Sequence, residues 1–361
     1  MKIALLGYGT VGRSLDELLK RRDLNIEVKR ILRRNKDPKD SRVTDSIDDI
    51  LQDEEIVCVA EALSGREPAD SYLKMIMESG KHVVSANKAA IASDFEGLLK
   101  LAGKMGTTFL FEASSGGTIP WIENIKEIRE TDEIVSLKGI LNGTCNFIID
   151  KMEREGIEFE DALRTAQSLG YAEADPTADI GGHDTYNKAL ISCSLAYNGF
   201  VKKDFPVLGM EKLTRDMLKE LEAEGKTVRF MMLSERSGDR YAVGVAPMVV
   251  RKDSIEANVR QNFNCASLTG VTVGELKFYG QGSGGYPTAD AMVRDLVRVR
   301  DKKTEPDILE KKLVYDDSLI EGVGYFPFGK KRGLLSELIV EARKKDVFMA
   351  FEHEEDNEVN A

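Results

Sequence analysis

The sequence predicts an α/β protein: a parallel sheet covered by helices on both faces, with a mixed α+β domain inserted into it. Three observations predict this. The first third alternates short apolar runs with amphipathic stretches, which is the rhythm of β-α-β units. A glycine turn, Gly7-Tyr8-Gly9-Thr10-Val11-Gly12, joins the first apolar run to the first amphipathic stretch. After about Asp132 the rhythm gives way to helix-like and then β-rich stretches, in a chain of 361 residues that exceeds one average domain.

Taken in order, Lys2 to Leu6 reads as a buried strand. Val11, Leu15, Leu18 and Leu19 then share one face of a helix. Strands follow at Ile26 to Leu32 and at Ile56 to Ala60. Tyr72, Leu73, Ile76 and Met77 mark a helix over Glu67 to Ser79, before a fourth strand at His82 to Ser85. Asp94 is placed to cap a helix from Phe95 to Met105, and Thr108 to Phe111 is the last strand of this series. Ile134 to Leu141 opens the second pattern, with helix-like stretches through Tyr197. Thr227 to Leu233, Tyr241 to Val250 and Gly270 to Tyr279 are β-rich. A glycine cluster from Gly280 to Gly285 precedes a helix over Thr288 to Val299, whose apolar side is expected to pack on the first sheet. Leu334 to Ala342 is a final amphipathic helix before an acidic tail.

Composition narrows the function classes. A net charge of −11 disfavours nucleic acid and anionic membranes as partners. The opening apolar stretch turns at once into glycines and lacks the layout of a signal peptide. Four scattered cysteines, Cys58, Cys145, Cys193 and Cys265, form no CxxC pair and no zinc spacing, so reduced thiols in a cytoplasmic protein are expected. Three histidines give little basis for a histidine metal cage or a Ser-His-Asp triad.

The glycine turn carries chemistry because of its context. In a G-x-G-x-x-G that ends a strand and opens a helix, Gly7 permits the tight turn, Gly9 lets backbone approach a pyrophosphate and Gly12 lets helix and strand pack closely. The N–H groups at the helix start, from Thr10 and Val11 onward, then face the phosphates. The domain is therefore read as Rossmann-type. The acid that usually follows the second strand is replaced by Arg33, Arg34 and Lys36. A carboxylate there would bind the ribose 2′-OH of NAD, whereas arginine suits a 2′-phosphate, so the reading leans to NADP over NAD.

A second informative segment is the loop Gly170 to Gly182 and the helix that follows it, rich in carboxylates and glycine. Asp184 and Lys188 are four apart on that helix and share a face. Such a lysine, with Glu173 and Asp179 nearby in sequence, could offer a proton while the acids hold an ammonium. By spacing alone, an exposed structural salt bridge is the commoner outcome.

This segment resembles the substrate loop of homoserine dehydrogenases. Val84-Ser85-Ala86-Asn87-Lys88-Ala89, Glu112-Ala113-Ser114-Ser115-Gly116-Gly117-Thr118-Ile119-Pro120, Gly139-Ile140-Leu141-Asn142-Gly143-Thr144-Cys145-Asn146 and the Gly280 to Ala289 loop resemble other motifs of that family, in the same order. The similarity covers residues 1 to about 300. It implies that Lys188 is the acid/base and that Lys88 reaches cofactor and substrate. It implies that Glu173 and Asp184 bind the substrate amine, and that Tyr171, Asp179 and Gly143 line the pocket. It adds Ser64, Lys88, Gly282 and Gly284 to the cofactor set of Gly7, Gly9, Thr10, Val11, Gly12, Arg33 and Arg34. The family binds a monovalent cation, such as Na+, through one glutamate and backbone carbonyls, which makes Glu112, Ser115, Gly117 and Ile119 the candidates; Ser115 and Thr118 depart from the usual residues.

The implied activity is NAD(P)-dependent hydride transfer between L-aspartate 4-semialdehyde and L-homoserine. Alternatives are a related enzyme such as an aspartate dehydrogenase, or a non-catalytic dinucleotide-binding sensor. The nucleotide domain is expected over 1–133 plus about 280–361, and a substrate and dimerisation domain over 134–279. No segment matches the regulatory domain that many members append. The resemblance implies a homodimer.

Overall fold

The computed structural model describes residues 1–35, 37, 39–303 and 307–354. Lys36 and the end of the acidic tail lie outside them. The chain forms two compact units, Met1–Asn124 with Ser283–Glu310, and Ile125–Gly282 with Lys311–Ala361.

In the first unit, β1 (Lys2–Leu6) leads through the glycine turn into α1 (Thr10–Arg22), β2 (Glu27–Leu32) and a short β3 (Val43–Thr44). Then follow α2 (Asp48–Leu51), β4 (Ile56–Glu61), α3 (Ala69–Glu78) and β5 (His82–Ser85). The series closes with α4 (Lys88–Ser93), α5 (Phe95–Met105) and β6 (Phe109–Leu110). Asp94 does cap α5, accepting from the Gly97 N–H at 3.2 Å. The described strands make one six-stranded sheet in the order β3-β2-β1-β4-β5-β6, parallel throughout. Its order reverses between β1 and β4, and the carboxyl ends at such a switch point are where open α/β sheets bind ligands. From β6, a 3-10 turn at Glu112–Ser114 and α6 (Trp121–Thr131) carry the chain out of this unit.

The second unit begins with β7 (Ile134–Ile140), followed by α7 (Gly143–Glu155), α8 (Phe159–Ser168), α9 (Thr177–Ile180), α10 (His183–Ala196) and α11 (Arg215–Ala223). Two long strands, β8 (Lys226–Ser237) and β9 (Arg240–Arg251), pair along their whole length. A hairpin of β10 (Phe263–Gly270) and β11 (Gly274–Gln281) completes this stretch. The sequence reading placed one strand here, over Gly270 to Tyr279. It missed β10 because Asn264 and Ser267 interrupt its apolar residues, yet both are buried where β10 lies between β7 and β11. The chain then returns to the first unit as α12 (Gly285–Asp301), whose Ala291, Met292, Leu296 and Val299 join Ile3, Leu5 and Leu15 in the core, as expected.

One domain boundary is corrected. The sequence reading assigned everything from about 280 onward to the nucleotide domain, but only Ser283–Glu310 belongs there. Beyond it, β12 (Val314–Tyr315), β13 (Glu321–Phe326), β14 (Gly329–Leu334), α13 (Leu335–Lys345) and β15 (Ala350–His353) extend the second sheet. Its order is β11-β10-β7-β8-β9-β15-β13-β14, with β12 also on β9. The reason is the open edge of β9. A bare strand edge leaves a row of unpaired backbone groups, and here β12 meets β9 at Arg240 while β15 meets it at Met248. Leu335, Leu338, Ile339 and Ala342 of α13 then bury against Met231, Leu233 and Ala246.

Candidate active site

In the first unit the glycine turn has the geometry its motif requires. Gly7 sits at φ +88°, and a Cβ on it would come within 2.7 Å of the Ala62 carbonyl oxygen. A Cβ on Gly12 would lie 2.2 Å from the Gly7 oxygen, so α1 can start this close to β1 only with glycine there. Gly9 is the contrast, because a Cβ on it would meet nothing within 4 Å. Open space at this position, beside the first-turn N–H groups of Thr10, Val11 and Gly12, fits a pyrophosphate. Gly284 lies nearby in the same unit at φ +126°, and the next residue, Gly285, packs on Thr10 and Ser14 of α1. Arg33 and Arg34 follow β2 directly and are exposed. The Arg33 guanidinium lies 5.9 Å from the Tyr8 ring centre and 3.5 Å from Asp37. Tyr8 is itself fixed, donating to Asp16 at 2.7 Å. Burial would raise the Asp16 pKa, but hydrogen bonds from Arg42, Lys20 and Tyr8 outweigh this and hold it at about 2.

Ser64 and Lys88 come together through a buried hub. Asn87 donates to the carbonyls of Leu63 at 3.2 Å and Gly65 at 2.7 Å, on either side of Ser64. Its own side-chain oxygen caps α4, accepting from Ala90 N–H at 3.1 Å, so Lys88 begins that helix. Glu61, fully buried at the end of β4, accepts from Ser85 at 2.5 Å and Leu63 N–H at 2.8 Å. Burial raises its pKa, with those donors and Asn87 opposing the shift.

The loop after β6 leads into α6. Glu112, read as a cation ligand, gives its carboxylate to the first turn of α6, accepting from Ile122 N–H at 3.2 Å and Glu123 N–H at 2.9 Å. Those amides have no intrahelical acceptor, and the acid meets the positive end of the helix. The Ile119 carbonyl accepts from Trp121 N–H at 2.8 Å. Gly117 turns at φ +66° next to Ser115 and Gly116. Among the described residues no three His, Cys, Asp or Glu side chains gather as a metal site.

The second unit holds the proton-transfer candidates. Lys188 projects from α10 and donates to the Leu141 carbonyl at 2.5 Å and to Asp184 at 2.7 Å. The pair is buried, with 10% and 7% of the side chains exposed. It is therefore not the exposed helix salt bridge that spacing alone favours. Asn142 lies at the centre of the cluster, donating to Asp179 at 2.7 Å and to Asp184 at 3.0 Å. Sequence alone gives Asn142 no role, because Asn142 and Asp184 stand 42 residues apart. Gly143 starts α7 beside it, and a Cβ there would be 2.7 Å from the Asn262 oxygen. Thr144 fixes the Tyr171 carbonyl at 2.6 Å, and the Tyr171 ring rests 4.9 Å from that of Phe147. Glu173 is exposed, placed by a hydrogen bond from Gln167 to its backbone carbonyl rather than by its carboxylate. Gly282 belongs to this unit, where a Cβ would strike the Asn264 side chain; Asn264 in turn donates to the Leu141 carbonyl at 3.3 Å. Cys145 is buried below the cluster. Burial, reinforced by Asp179 and Asp184, pushes its thiol well above the usual range, so it stays protonated.

A strand–glycine turn–helix with open space at Gly9, and a buried lysine paired with an acid, fit a nicotinamide-dependent oxidoreductase, and that is the class into which this chain falls. Its relatives narrow the class. Residues 7–112 match the family described as homoserine dehydrogenase, NAD binding domain, and residues 120–297 match homoserine dehydrogenase. The chain is 36% identical over 312 residues to the homoserine dehydrogenase of Pseudomonas aeruginosa, covering 83% of this chain and 72% of that one. It is 32% identical to that of Mycobacterium leprae, covering 96% and 85%. The crystal structure of a homoserine dehydrogenase from Thiobacillus denitrificans superposes with a TM-score of 0.87 at 26% identity, covering 98% of each chain. The chain belongs to the homoserine dehydrogenase family. These matches favour neither the aspartate dehydrogenase nor the sensor alternative.

Proposed function

We propose that this enzyme reduces L-aspartate 4-semialdehyde to L-homoserine with NADPH, in the biosynthesis of threonine, methionine and isoleucine. The observation that carries the proposal is the buried Lys188 ammonium, held by the Leu141 carbonyl and Asp184. An ammonium has three N–H donors. Two are given to the protein, and the third serves the substrate oxygen, protonating the alkoxide as it forms. Asp184 and Asp179, with Glu173 at the loop surface, attract the substrate ammonium. Tyr171 and Gly143 line the approach. The dinucleotide is held by the glycine turn, the start of α1, Ser64, Lys88 and the Gly284 loop, and when bound it supplies the hydride. Gly282 acts here through Asn264 and the Leu141 carbonyl. A monovalent cation would be held by the lone pairs that Glu112 keeps beside its two N–H donors, together with loop carbonyls of Ser115, Gly117 and Ile119. The direct test is turnover of aspartate semialdehyde with each reduced cofactor. No turnover with either would overturn the reading.

Cofactor preference follows from Arg33 and Arg34, exposed at the end of β2 with no carboxylate in the place of the ribose-binding acid. Arg33→Asp combined with Arg34→Ala is expected to weaken NADPH binding about tenfold or more while leaving NADH little changed. Titration of both cofactors by fluorescence reads this. Equal losses would show that neither arginine meets the 2′-phosphate.

The enzyme is further proposed to be a cytoplasmic homodimer. The β10–β11 hairpin closes one edge of the second sheet with Val271, Val273 and Tyr279 exposed. A sheet edge formed by β11, with exposed apolar side chains at its turn and on the strand, suits a second copy of the chain. Light scattering at micromolar concentration should give twice the chain mass, and a monomer would refute the assignment.

A further inference from the structure

We propose that Asn142 is a positioning residue that holds Asp179 and Asp184 together so that Lys188 keeps its catalytic place. The inference rests on Lys188 as the proton donor. Asn142 is 3% exposed and ties four elements together. It stands at the end of β7, donates to Asp179 on α9 and Asp184 on α10, and with its oxygen accepts from the Cys145 N–H at 2.8 Å, capping α7. Two carboxylates near one another in a buried setting repel, and each disfavours the other's charge. A carboxamide answers this in one particular way. Its NH2 group has two donors, one for each acid, and no charge, so it binds both carboxylates without cancelling either. A cation in its place would neutralise the acids that are to attract the substrate ammonium. A third acid would add to the repulsion. Asp184 uses the same oxygen, Oδ2, for Asn142 and for Lys188. The direction from which Asn142 approaches therefore helps set where the lysine ends.

The Leu141 carbonyl strengthens the argument. It immediately precedes Asn142 in sequence and is the second acceptor of Lys188. The conformation that caps α7 and that which presents this carbonyl to Lys188 thus belong to one short stretch of backbone. Cys145 adds a further tie, because its Sγ donates to the Asp179 carbonyl at 3.3 Å.

The competing view is that Asn142 merely caps α7. Two substitutions separate the views, because serine and aspartate are both good helix caps. Asn142→Ser keeps an oxygen for the Cys145 amide but is too short to donate to both acids. Asn142→Asp keeps the cap and sets a third carboxylate against the other two. The expected result is a kcat loss of about 10–100-fold in Asn142→Ser, and a larger one in Asn142→Asp, since displacement of about 1 Å in a catalytic group costs on the order of 100-fold. The melting temperature of Asn142→Ser should stay within about 3 °C of wild type, and the KM for NADPH should be unchanged. Near-normal kcat in both variants, in an active wild-type enzyme, would overturn the proposal. So would activity that falls only in step with melting temperature. A crystal structure of Asn142→Ser reads the clamp without any assay, and thus independently of the substrate assigned. Asp179 and Asp184 drawn apart and Lys188 off the Leu141 carbonyl support it; carboxylates left in place would refute it.

Discussion

Lys188→Met is expected to lower kcat by about 100- to 10,000-fold, the usual worth of a positioned proton donor. Methionine matches the length and the apolar stem of lysine, so the space in α10 stays filled. The loss should appear in kcat as well as in kcat/KM, because the proton moves in the transition state. Stability should also fall, because Asp184 loses the partner that donates to it at 2.7 Å. Breaking a buried pair costs about 3–5 kcal/mol where the remaining charge is left alone. Asn142 still donates to Asp184 at 3.0 Å, so the cost should be smaller. Dinucleotide titration is the control for folding, since the glycine turn belongs to the other unit. A variant that binds dinucleotide and retains near-normal kcat would remove Lys188 from the mechanism and make Lys88 the next candidate.

A second large effect is expected at the glycine turn, where two neighbouring glycines should fail in different ways. Gly9 has φ −77°, which alanine adopts, and a Cβ there meets no protein atom within 4 Å. Gly9→Ala should therefore melt like wild type while its dinucleotide dissociation constant rises about tenfold or more, because the added methyl occupies space that a pyrophosphate needs. At Gly12 the Cβ would sit 2.2 Å from a backbone oxygen, which cannot swing aside as a side chain can. Gly12→Ala should lose thermal stability as well as affinity. Calorimetry beside cofactor titration distinguishes the two. Unchanged affinity in Gly9→Ala would mean that no phosphate approaches this turn.

Much of the nucleotide unit was legible because its signals are local. The strands Lys2–Leu6 and His82–Ser85 and the helix Phe95–Met105 with its Asp94 cap appear where the sequence reading put them. Short apolar runs and 3.6-residue periodicity report on neighbours a few positions away. The apolar side of α12 was equally readable, and it packs in the core of the first unit. The candidate site was read only in part. Spacing placed Asp184 and Lys188 on one helix face, but it could not say whether that face was wet or dry. The capping contact of Glu112 was not legible, since it joins amides ten and eleven residues on, at the start of α6.

By itself the sequence determined the β-α-β order, the glycine turn, the helix that carries the lysine and, through its motifs, the family. Only the tertiary structure decided that the lysine and its acid are buried and that Asn142 and the Leu141 carbonyl complete their surroundings. It also decided that β10 is a strand and that Lys311 onward joins the second sheet. The physical reason is the range of the interactions. Periodicity and caps act within a turn or two of chain, whereas desolvation and strand pairing depend on which distant segments arrive alongside. The Leu141 carbonyl meets Lys188 from 47 residues away, and the edge of β9 is closed by strands that the chain has yet to make when β9 ends.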